Sequence, residues 1–265
     1  MEKELYPSDL TVAQWNIIEP FLRKETCPWG PGRPRELCFR DILNGIFYLL
    51  RSGCQWRMLP REYPNWKSVY HYFRLWRIKG VWEQIHDKLR EMLRVKAGRE
   101  LTPSAGIIDS QSVKTTQKCG PRGYDAGKKV KGRKRHIMVD TLGLVLAVVV
   151  HTGNIQDRDG AKLVFMRILG QFPRLSLIWA DGGYAGKLVE WVHTFGSWIL
   201  DIVKRPDDAK GFVLLKRRWV VERTFAWLSF FRRLSKDFEE HTETSETVVR
   251  ISMIHLMVRR LSTIS

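Results

Sequence analysis

The sequence predicts an α/β fold, in which a mixed β-sheet flanked by helices follows a small all-helical domain. Residues 8 to 96 show helical periodicity interrupted by Pro and Gly, with few strand-like runs. From Ala105 onward, apolar strand-like runs appear and then alternate with helical patterns. A short polar stretch separates these two textures. We therefore predict one domain over residues 1–98 and a second over 99–265.

The first domain is predicted to be a helix-turn-helix-like unit of three helices. Two of them cover Thr11 to Leu22 and Phe39 to Ser52, and Asn65 is placed to cap the third, over 66–79. The third helix has an apolar face of Val69, Tyr72, Phe73 and Trp76 and a basic face of Lys67, His71 and Arg74. A basic front suits a helix on DNA phosphates, and an ordinary solvated face is the alternative. We expect Trp15, Trp56, Trp66, Trp76 and Trp82 to form the domain's core.

The second domain contains five predicted strands and three predicted helices. The strands are 106–113, 136–140, 144–151, 175–180 and 198–203, and the helices are 159–170, 187–195 and 211–234. Asp140 to Gly143 joins the second and third strands as an antiparallel hairpin, and the later strands alternate with helices. These connections predict a mixed sheet with helices on its faces.

The charge of the chain indicates a polyanionic partner. Its 265 residues include 45 Lys and Arg against 28 Asp and Glu, a formal net charge of +17. Nucleic acid is the first candidate, because each neutralised phosphate releases counterions. The alternative, a basic membrane-surface protein, finds little support, since no apolar stretch approaches the roughly 18 residues of a spanning helix. The N-terminus lacks a signal-peptide pattern. We expect a soluble, cytoplasmic protein whose four cysteines are reduced thiols.

The most basic segment of the chain, Lys118 to Arg135, lies between two predicted strands. Its cations are Lys118, Arg122, Lys128, Lys129, Lys131, Arg133, Lys134 and Arg135. Four glycines punctuate the run, which would keep it pliable and let its backbone approach a ligand. A run of this kind is usually a solvated loop. Its place inside a domain favours a loop that clamps nucleic acid.

Three acidic residues are candidates for metal-assisted phosphodiester chemistry. Asp181 follows a short apolar strand and begins a Gly-Gly turn, and Asp109 lies in another apolar strand. Glu222 is the lone acid on a basic helical stripe that includes Arg218 and Arg233. Two Mg²⁺ or Mn²⁺ ions that cleave or join a phosphodiester need about three such carboxylates. A simple Asp-Gly turn at Asp181 and a surface pair between Arg218 and Glu222 are the alternatives.

The segments around these acids resemble the three acidic motifs of bacterial insertion-sequence DDE transposases, in the insertion-sequence-five group. The matching segments are Asp109-Ser-Gln-Ser-Val113, Trp179-Ala-Asp-Gly-Gly-Tyr-Ala-Gly186 and Arg218-Trp-Val-Val-Glu-Arg-Thr-Phe-Ala-Trp227. Further segments resemble other parts of this group: Gly32-Arg-Pro-Arg35, Leu43-Asn-Gly-Ile-Phe-Tyr48, Gly53-Cys-Gln-Trp-Arg-Met-Leu-Pro60, Lys131-Gly-Arg-Lys-Arg-His136 and Asn154-Ile-Gln-Asp-Arg-Asp-Gly160. The similarity therefore covers nearly the whole chain.

The resemblance implies a ribonuclease-H-like catalytic domain with Asp109, Asp181 and Glu222 as its triad. It also implies two Mg²⁺ or Mn²⁺ ions, cleavage of transposon ends in double-stranded DNA, and strand transfer into target DNA. We expect a homodimer or larger assembly on DNA, associated with the bacterial nucleoid. A metal-dependent nuclease without strand transfer and a catalytically inactive DNA-binding repressor are the alternatives.

The chain departs from the wider family beside the third motif. That family often carries a Tyr before the Arg-x-x-x-Glu core and a Lys after it, where this chain has Leu215 and Ser229. Arg232, Arg233 and Lys236 are candidates to replace these DNA contacts.

Overall fold

A computed structural model describes residues 6–23, 37–117, 120–203 and 217–263. Several sequence motifs lie outside these ranges, namely Gly32 to Arg35, Cys27, Lys118, Cys119 and Leu215. The contacts between Cα atoms divide the chain into two compact units. Unit 1 comprises residues 1–97, 230–234 and 247–265, and unit 2 comprises residues 98–229 and 235–246.

The described part of unit 1 is built from helices. Within residues 6–97 these are α1 (Val12–Arg23), α2 (Phe39–Ser52), α3 (Trp66–Ile78) and α4 (Val81–Lys96), with a 3-10 turn at Trp56–Met58. Helix α2 buries apolar residues at three- and four-residue intervals, among them Ile42, Ile46 and Leu49. It ends at Gly53, whose left-handed φ of 73° lets its N–H donate to the carbonyl of Leu49.

Helix α3 has the cap and the two faces that the sequence predicts. The Asn65 side chain accepts a hydrogen bond from the Lys67 N–H at 3.0 Å, which satisfies one donor of the first turn. Val69, Phe73 and Trp76 are buried, whereas Lys67, His71 and Arg74 are exposed.

The prediction that all five tryptophans lie in the core of this domain is wrong in part. Trp76 and Trp82 are buried, but Trp15, Trp56 and Trp66 are only half-buried. The Trp66 ring lies 5.6 Å from the Arg57 guanidinium, so one face of this indole meets a polar side chain.

The described residues of unit 2 form a six-stranded mixed sheet. Its strands are β1 (Ala105–Lys114), β2 (Gly123–Asp125), β3 (Val130–Asp140), β4 (Val145–Thr152), β5 (Leu177–Ala180) and β6 (Ile199–Ile202). The order is β2-β3-β1-β5-β6, and β4 also pairs with β3. Strands β1, β5 and β6 run parallel to one another, and β3 is antiparallel to β1, β2 and β4.

Helices cover both faces of this sheet. Helices α5 (Asp157–Ile168) and α6 (Lys187–Gly196) contribute to a buried apolar cluster that includes Ile108 of β1, Met138 of β3 and Ile178 of β5. Helix α7 (Trp219–Ser229) packs on β1 and β3. Since successive side chains of a strand point to opposite faces, Ile107 and Asp109 lie on the face opposite to Ile108.

Several elements differ from those that the sequence predicts. Helix α4 adds a fourth helix to the predicted three-helix unit, and strand β2 was not predicted. The predicted helix 211–234 ends at Ser229 in its described part, and a separate 3-10 turn follows at Arg232–Leu234. A last helix, α8 (Thr242–Ser262), was not predicted. Residues 247–265 belong to unit 1, unlike the predicted division at 98/99, because α8 contacts that unit, as in the 2.8 Å hydrogen bond from Arg250 to Glu83.

Part of the described basic segment is built into the sheet and does not form the clamping loop that the sequence predicts. From residue 120 onward it forms β2, a turn and the beginning of β3, and Arg133, Lys134 and Arg135 are buried. Arg133 donates to the carbonyls of Pro121, Glu239 and Glu240 at 2.7 to 2.9 Å and pairs with the buried Asp237 at 3.3 Å. This arginine serves the fold, because its donors are already engaged inside the protein.

The substitution Arg133→Met tests this structural role. It would break the buried pair with Asp237 and remove the donors of three carbonyls, so we expect the free energy of unfolding to fall by about 3–5 kcal/mol. Urea unfolding followed by circular dichroism measures the loss. The matched control is Lys131→Met in the same strand, where the exposed side chain should change stability by less than about 0.5 kcal/mol. Equal stability of the two variants would contradict this role.

Candidate functional site

Asp109 occupies a nearly enclosed position in the middle of β1. Its side chain is 16% exposed, and its carboxylate accepts a hydrogen bond from the Ser110 N–H at 2.7 Å. Burial raises the pKa of Asp109 to about 6, and the charge of Asp181 adds to this rise. The Ser110 hydrogen bond and the charges of Lys128 and Arg218 oppose it. Any further positive charge nearby would therefore stabilise the charged form of Asp109.

Asp181 follows the last residue of β5 and caps the 3-10 turn Gly182–Tyr184. Its Oδ1 accepts a hydrogen bond from the Gly183 N–H at 2.7 Å, and its Oδ2 lies 3.5 Å from Arg218 Nη2. A Cβ at Gly183 would lie 2.9 Å from the same Oδ1, whereas a Cβ at Gly182 would meet no atom within 4 Å. The second glycine of the motif thus lets the carboxylate take this orientation.

The parallel pairing of β1 and β5 brings the two aspartates to the same part of the sheet. Ile107 is paired in register with Trp179. Asp109 and Asp181 each follow two residues later, so both point to the same face of two neighbouring strands. Adjacent strands are about 4.8 Å apart, so the two carboxylates can approach each other closely.

Arg218 and Glu222, at the beginning of α7, complete the cluster. One nitrogen of the Arg218 guanidinium, Nη2, lies 3.9 Å from Asp109, 3.5 Å from Asp181 and 3.6 Å from Glu222. Because all three oxygens surround one nitrogen, no two of them are more than about 8 Å apart, which is within reach of a shared pair of metal ions. The structure therefore brings together the three carboxylates that the sequence singles out.

This cluster has the donor chemistry of a divalent-cation site. Carboxylate oxygens are the ligands that Mg²⁺ and Mn²⁺ prefer. The cluster also already holds a positive group, since the Arg218 guanidinium contacts all three carboxylates. Within the described ranges, no three His, Cys, Asp or Glu side chains form a metal-holding group as they stand. Arg218 and a metal ion would use the same oxygens.

The residues predicted to bind DNA fall into two groups. Lys67, His71 and Arg74 of unit 1 and Lys128, Lys129 and Lys131 of unit 2 are exposed. Arg133, Lys134 and Arg135 are buried in β3, so their predicted role as phosphate contacts is wrong for this conformation. Arg233 is also buried and donates to the carbonyl of Cys54 at 3.3 Å, which removes it from the same set.

Lys128 reaches the neighbourhood of the triad. Its Nζ donates to the carbonyl and the hydroxyl of Ser110 at 2.8 and 3.1 Å. The Ser110 hydroxyl also donates to Asp157 at 3.0 Å, and Lys134 pairs with Asp157 at 2.9 Å. A polar network therefore lies directly behind Asp109, on the opposite face of β1.

The sequence reasoning missed the buried partners in this network. The site residues that the sequence predicts do not include Asp157, Tyr184, His136 or His151. Tyr184 stands within the Asp-Gly-Gly-Tyr motif and His136 ends the Lys131 to His136 motif. Their position within family-like motifs could have indicated a role in the site. Their partners, however, belong to other elements of the fold, so the sequence pattern does not reveal the contacts.

The two adjacent glycines after Asp181 allow a sharp test of its orientation. We expect Gly183→Ala to push the Asp181 carboxylate aside and weaken Mn²⁺ affinity about tenfold, the order found when groups that orient metal ligands are lost. Stability should change little, because the contacted atom ends a flexible side chain. Paramagnetic resonance of free Mn²⁺ gives the affinity. Gly182→Ala is the control, because a Cβ at Gly182 would meet no atom within 4 Å. Equal affinities for both variants would contradict the role of Gly183.

The comparison with known proteins agrees with the geometry of this cluster. Residues 100–257, more than half of the chain, match the family model described as "Transposase DDE domain". Residues 10–86 match the model described as "Putative transposase of IS4/5 family". No helix formed by the described ranges is long and apolar enough to cross a membrane.

Two relatives come from insertion element IS402 of Burkholderia cepacia. An "uncharacterized 16.2 kDa protein" is 33% identical over 107 residues, which cover 38% of this chain and 69% of the relative. A "Putative transposase for insertion sequence element IS402" is 32% identical over 144 residues, which cover 52% of this chain and 66% of the relative. The family implies a ribonuclease-H-like catalytic domain and dependence on a divalent metal. The chain belongs to the DDE transposases, in the IS4/5 family of insertion-sequence transposases.

Proposed function

We propose that Asp109, Asp181 and Glu222 are the catalytic carboxylates with which this transposase cuts the ends of its element and joins them to target DNA. The observation that carries the proposal is the convergence of all three on the Arg218 guanidinium. Two of these acids come from parallel strands and one from a helix, so chance proximity along the sequence does not explain it. Rival acids lack this arrangement, as Asp140 accepts hydrogen bonds from Leu142 and Leu144 in its own hairpin.

The three carboxylates would hold two Mg²⁺ or Mn²⁺ ions. When bound, such ions activate the attacking oxygen and stabilise the leaving oxygen of a phosphodiester. The burial of Asp109 keeps bulk water away from one side of this site, which strengthens its attraction for a cation. Glu222 is 51% exposed and stands on the open side of the cluster.

Arg218 would exchange its partners as substrate arrives. Its guanidinium shares the carboxylate oxygens that a divalent ion needs, so it must release them when ions are held there. A DNA phosphate is the natural new partner, because a guanidinium binds phosphate oxygens in a bidentate manner. In the proposed reaction, water attacks the transposon-end phosphodiester and its P–O3′ bond breaks, which leaves a 3′-hydroxyl on the element and a 5′-phosphate on the flanking DNA. This 3′-hydroxyl then attacks a target phosphodiester, whose own P–O3′ bond breaks to release a 3′-hydroxyl of the target strand.

The N-terminal unit is proposed to recognise the ends of the element. The support is helix α3, whose Lys67, His71 and Arg74 are exposed while Val69, Phe73 and Trp76 on its other face are buried. We propose that this unit is helix-turn-helix-like and that Lys128, Lys129 and Lys131 of unit 2 also contact DNA. Because both ends must be processed together, we propose a homodimer or larger assembly on double-stranded DNA in the bacterial cytoplasm, at the nucleoid.

A cleavage and joining assay tests the catalytic proposal. The substrate is linear DNA that carries the sequences flanking the gene, together with a second substrate that already ends in the freed 3′-hydroxyl. With Mg²⁺ or Mn²⁺, we expect the wild-type protein to cut the first and to join the second to plasmid DNA. Asp181→Asn should lower both rates at least about a hundredfold, since a metal-bound carboxylate is lost, while DNA binding persists.

Asp201→Asn is the matched control for this assay. Asp201 is an exposed aspartate of β6 that pairs in register with Trp179 and lies outside the cluster, so its loss should leave both rates unchanged. Cleavage without joining would favour the nuclease alternative. Binding without any metal-dependent cleavage would favour the repressor alternative. Full activity of Asp181→Asn would contradict the proposed site.

The exposed cations of α3 give a separate prediction for DNA binding. We expect Lys67→Ala and Arg74→Ala each to weaken binding uniformly across sequences and to reduce the slope of log affinity against log salt by about one. Fluorescence anisotropy over a salt series measures this slope. The control is Lys88→Ala on α4, where the ammonium is already paired with Glu91 at 2.7 Å. Slopes that match the wild-type value in both α3 variants would contradict the proposed interface.

A further inference from the structure

Three buried side chains form a hydrogen-bonded chain behind the catalytic face of the sheet. Tyr184 Oη lies 2.8 Å from His136 Nε2, and His136 Nδ1 lies 2.9 Å from His151 Nε2. His151 Nδ1 in turn lies 2.9 Å from the backbone oxygen of Thr152. The three side chains belong to residues that are 0%, 0% and 6% exposed. None of them takes part in the proposed chemistry.

The Thr152 carbonyl fixes the direction of every hydrogen bond in this chain. A carbonyl only accepts, so His151 Nδ1 carries the hydrogen. Burial lowers the pKa of both histidines, that of His136 to about 3, and each neutral ring has a single N–H. His151 Nε2 therefore accepts from His136 Nδ1, and His136 Nε2 accepts in its turn. Tyr184 is the donor, and burial raises the pKa of its phenol well above the ordinary value.

This chain connects the two elements that carry the catalytic aspartates. Tyr184 is the last residue of the 3-10 turn that Asp181 caps, and its N–H donates to the Asp181 carbonyl at 3.1 Å. His136 lies in β3, where it is paired in register with Ser110, the residue after Asp109. A single phenol hydroxyl thus links the turn of Asp181 to the strand pair of Asp109.

Close packing holds the two imidazole rings in place. Gly160 of helix α5 lies directly against them, and a Cβ at this position would overlap both His151 Nε2 and His136 Nδ1. The rings stack with a centroid separation of 5.2 Å. Because neither ring has room to turn, the acceptor at His136 Nε2 has a fixed position.

We propose that Tyr184 is a positioning residue, whose hydroxyl, held by His136 and His151, sets Asp181 at the place where it can share a cation with Asp109. The inference rests on the proposed function of the triad. Loss of the hydroxyl leaves His136 Nε2 buried without its donor and frees the turn to shift. Groups of this kind tune metal affinity because they orient the ligands.

The test compares two buried tyrosines in the full-length protein. Tyr184→Phe should weaken Mn²⁺ affinity about tenfold, the order typical for loss of a group that orients a ligand. The matched control is Tyr63→Phe in unit 1, which removes the hydroxyl of another buried tyrosine, one that donates to Asp9 at 2.6 Å, and its Mn²⁺ affinity should equal that of the wild type. Paramagnetic resonance gives the affinities, and thermal melts confirm folding.

Two variants of His136 test the same hydrogen bond if Tyr184→Phe does not fold. His136→Gln retains an acceptor for Tyr184 and should preserve the affinity, whereas His136→Leu removes it and should weaken binding as Tyr184→Phe does. Unchanged affinity in Tyr184→Phe or His136→Leu, with Asp181→Asn sensitive, would overturn the positioning role alone. An equal loss in Tyr63→Phe would also overturn it. Unchanged affinity in Asp181→Asn would overturn the triad and the positioning role together.

Discussion

The repulsion among three carboxylates drawn to one point is the constraint on which the catalytic unit depends. Asp109, Asp181 and Glu222 meet within 4 Å of one Arg218 nitrogen, and the most buried of them, Asp109, has its pKa raised to about 6. Such a cluster is stable only if positive charge stands among the acids. Arg218 supplies that charge from α7, beside Glu222. In the proposed mechanism, the same demand for positive charge attracts divalent ions to the cluster, and these ions replace the Arg218 guanidinium, which turns to a DNA phosphate.

The strand pairing of the sheet and one helix are enough to place these acids together. Parallel pairing of β1 and β5 places two aspartates on one face, and helix α7 crosses that face to add the glutamate. The opposite face of β1 carries the hydrogen-bonded chain of Tyr184, His136 and His151. In the proposed arrangement, these buried groups on one side of the sheet position the aspartates on the other. A site built in this way can tolerate exchange of its cations without losing its shape.

Local patterns predicted most of the strands and singled out the three acids that the structure brings together, because each acid follows an apolar run or interrupts a basic helical stripe. The resemblance to a known family then joined the acids into one site. The sequence could not reveal the role of Arg133, since its partners Asp237, Glu239 and Glu240 lie a hundred residues further along the chain. Basic residues in a glycine-rich run look like a loop when those partners are unknown. The His136 and His151 pair was missed for the same reason, as their contact depends on strand register and on Gly160.

Anomalous diffraction from crystals grown with Mn²⁺ and end DNA tests the central claim most directly. The account predicts manganese peaks bounded by Asp109, Asp181 and Glu222, with the Arg218 guanidinium turned from these oxygens towards a DNA phosphate. Peaks elsewhere in the molecule, or a guanidinium that keeps all three carboxylates while manganese binds at other residues, would contradict it.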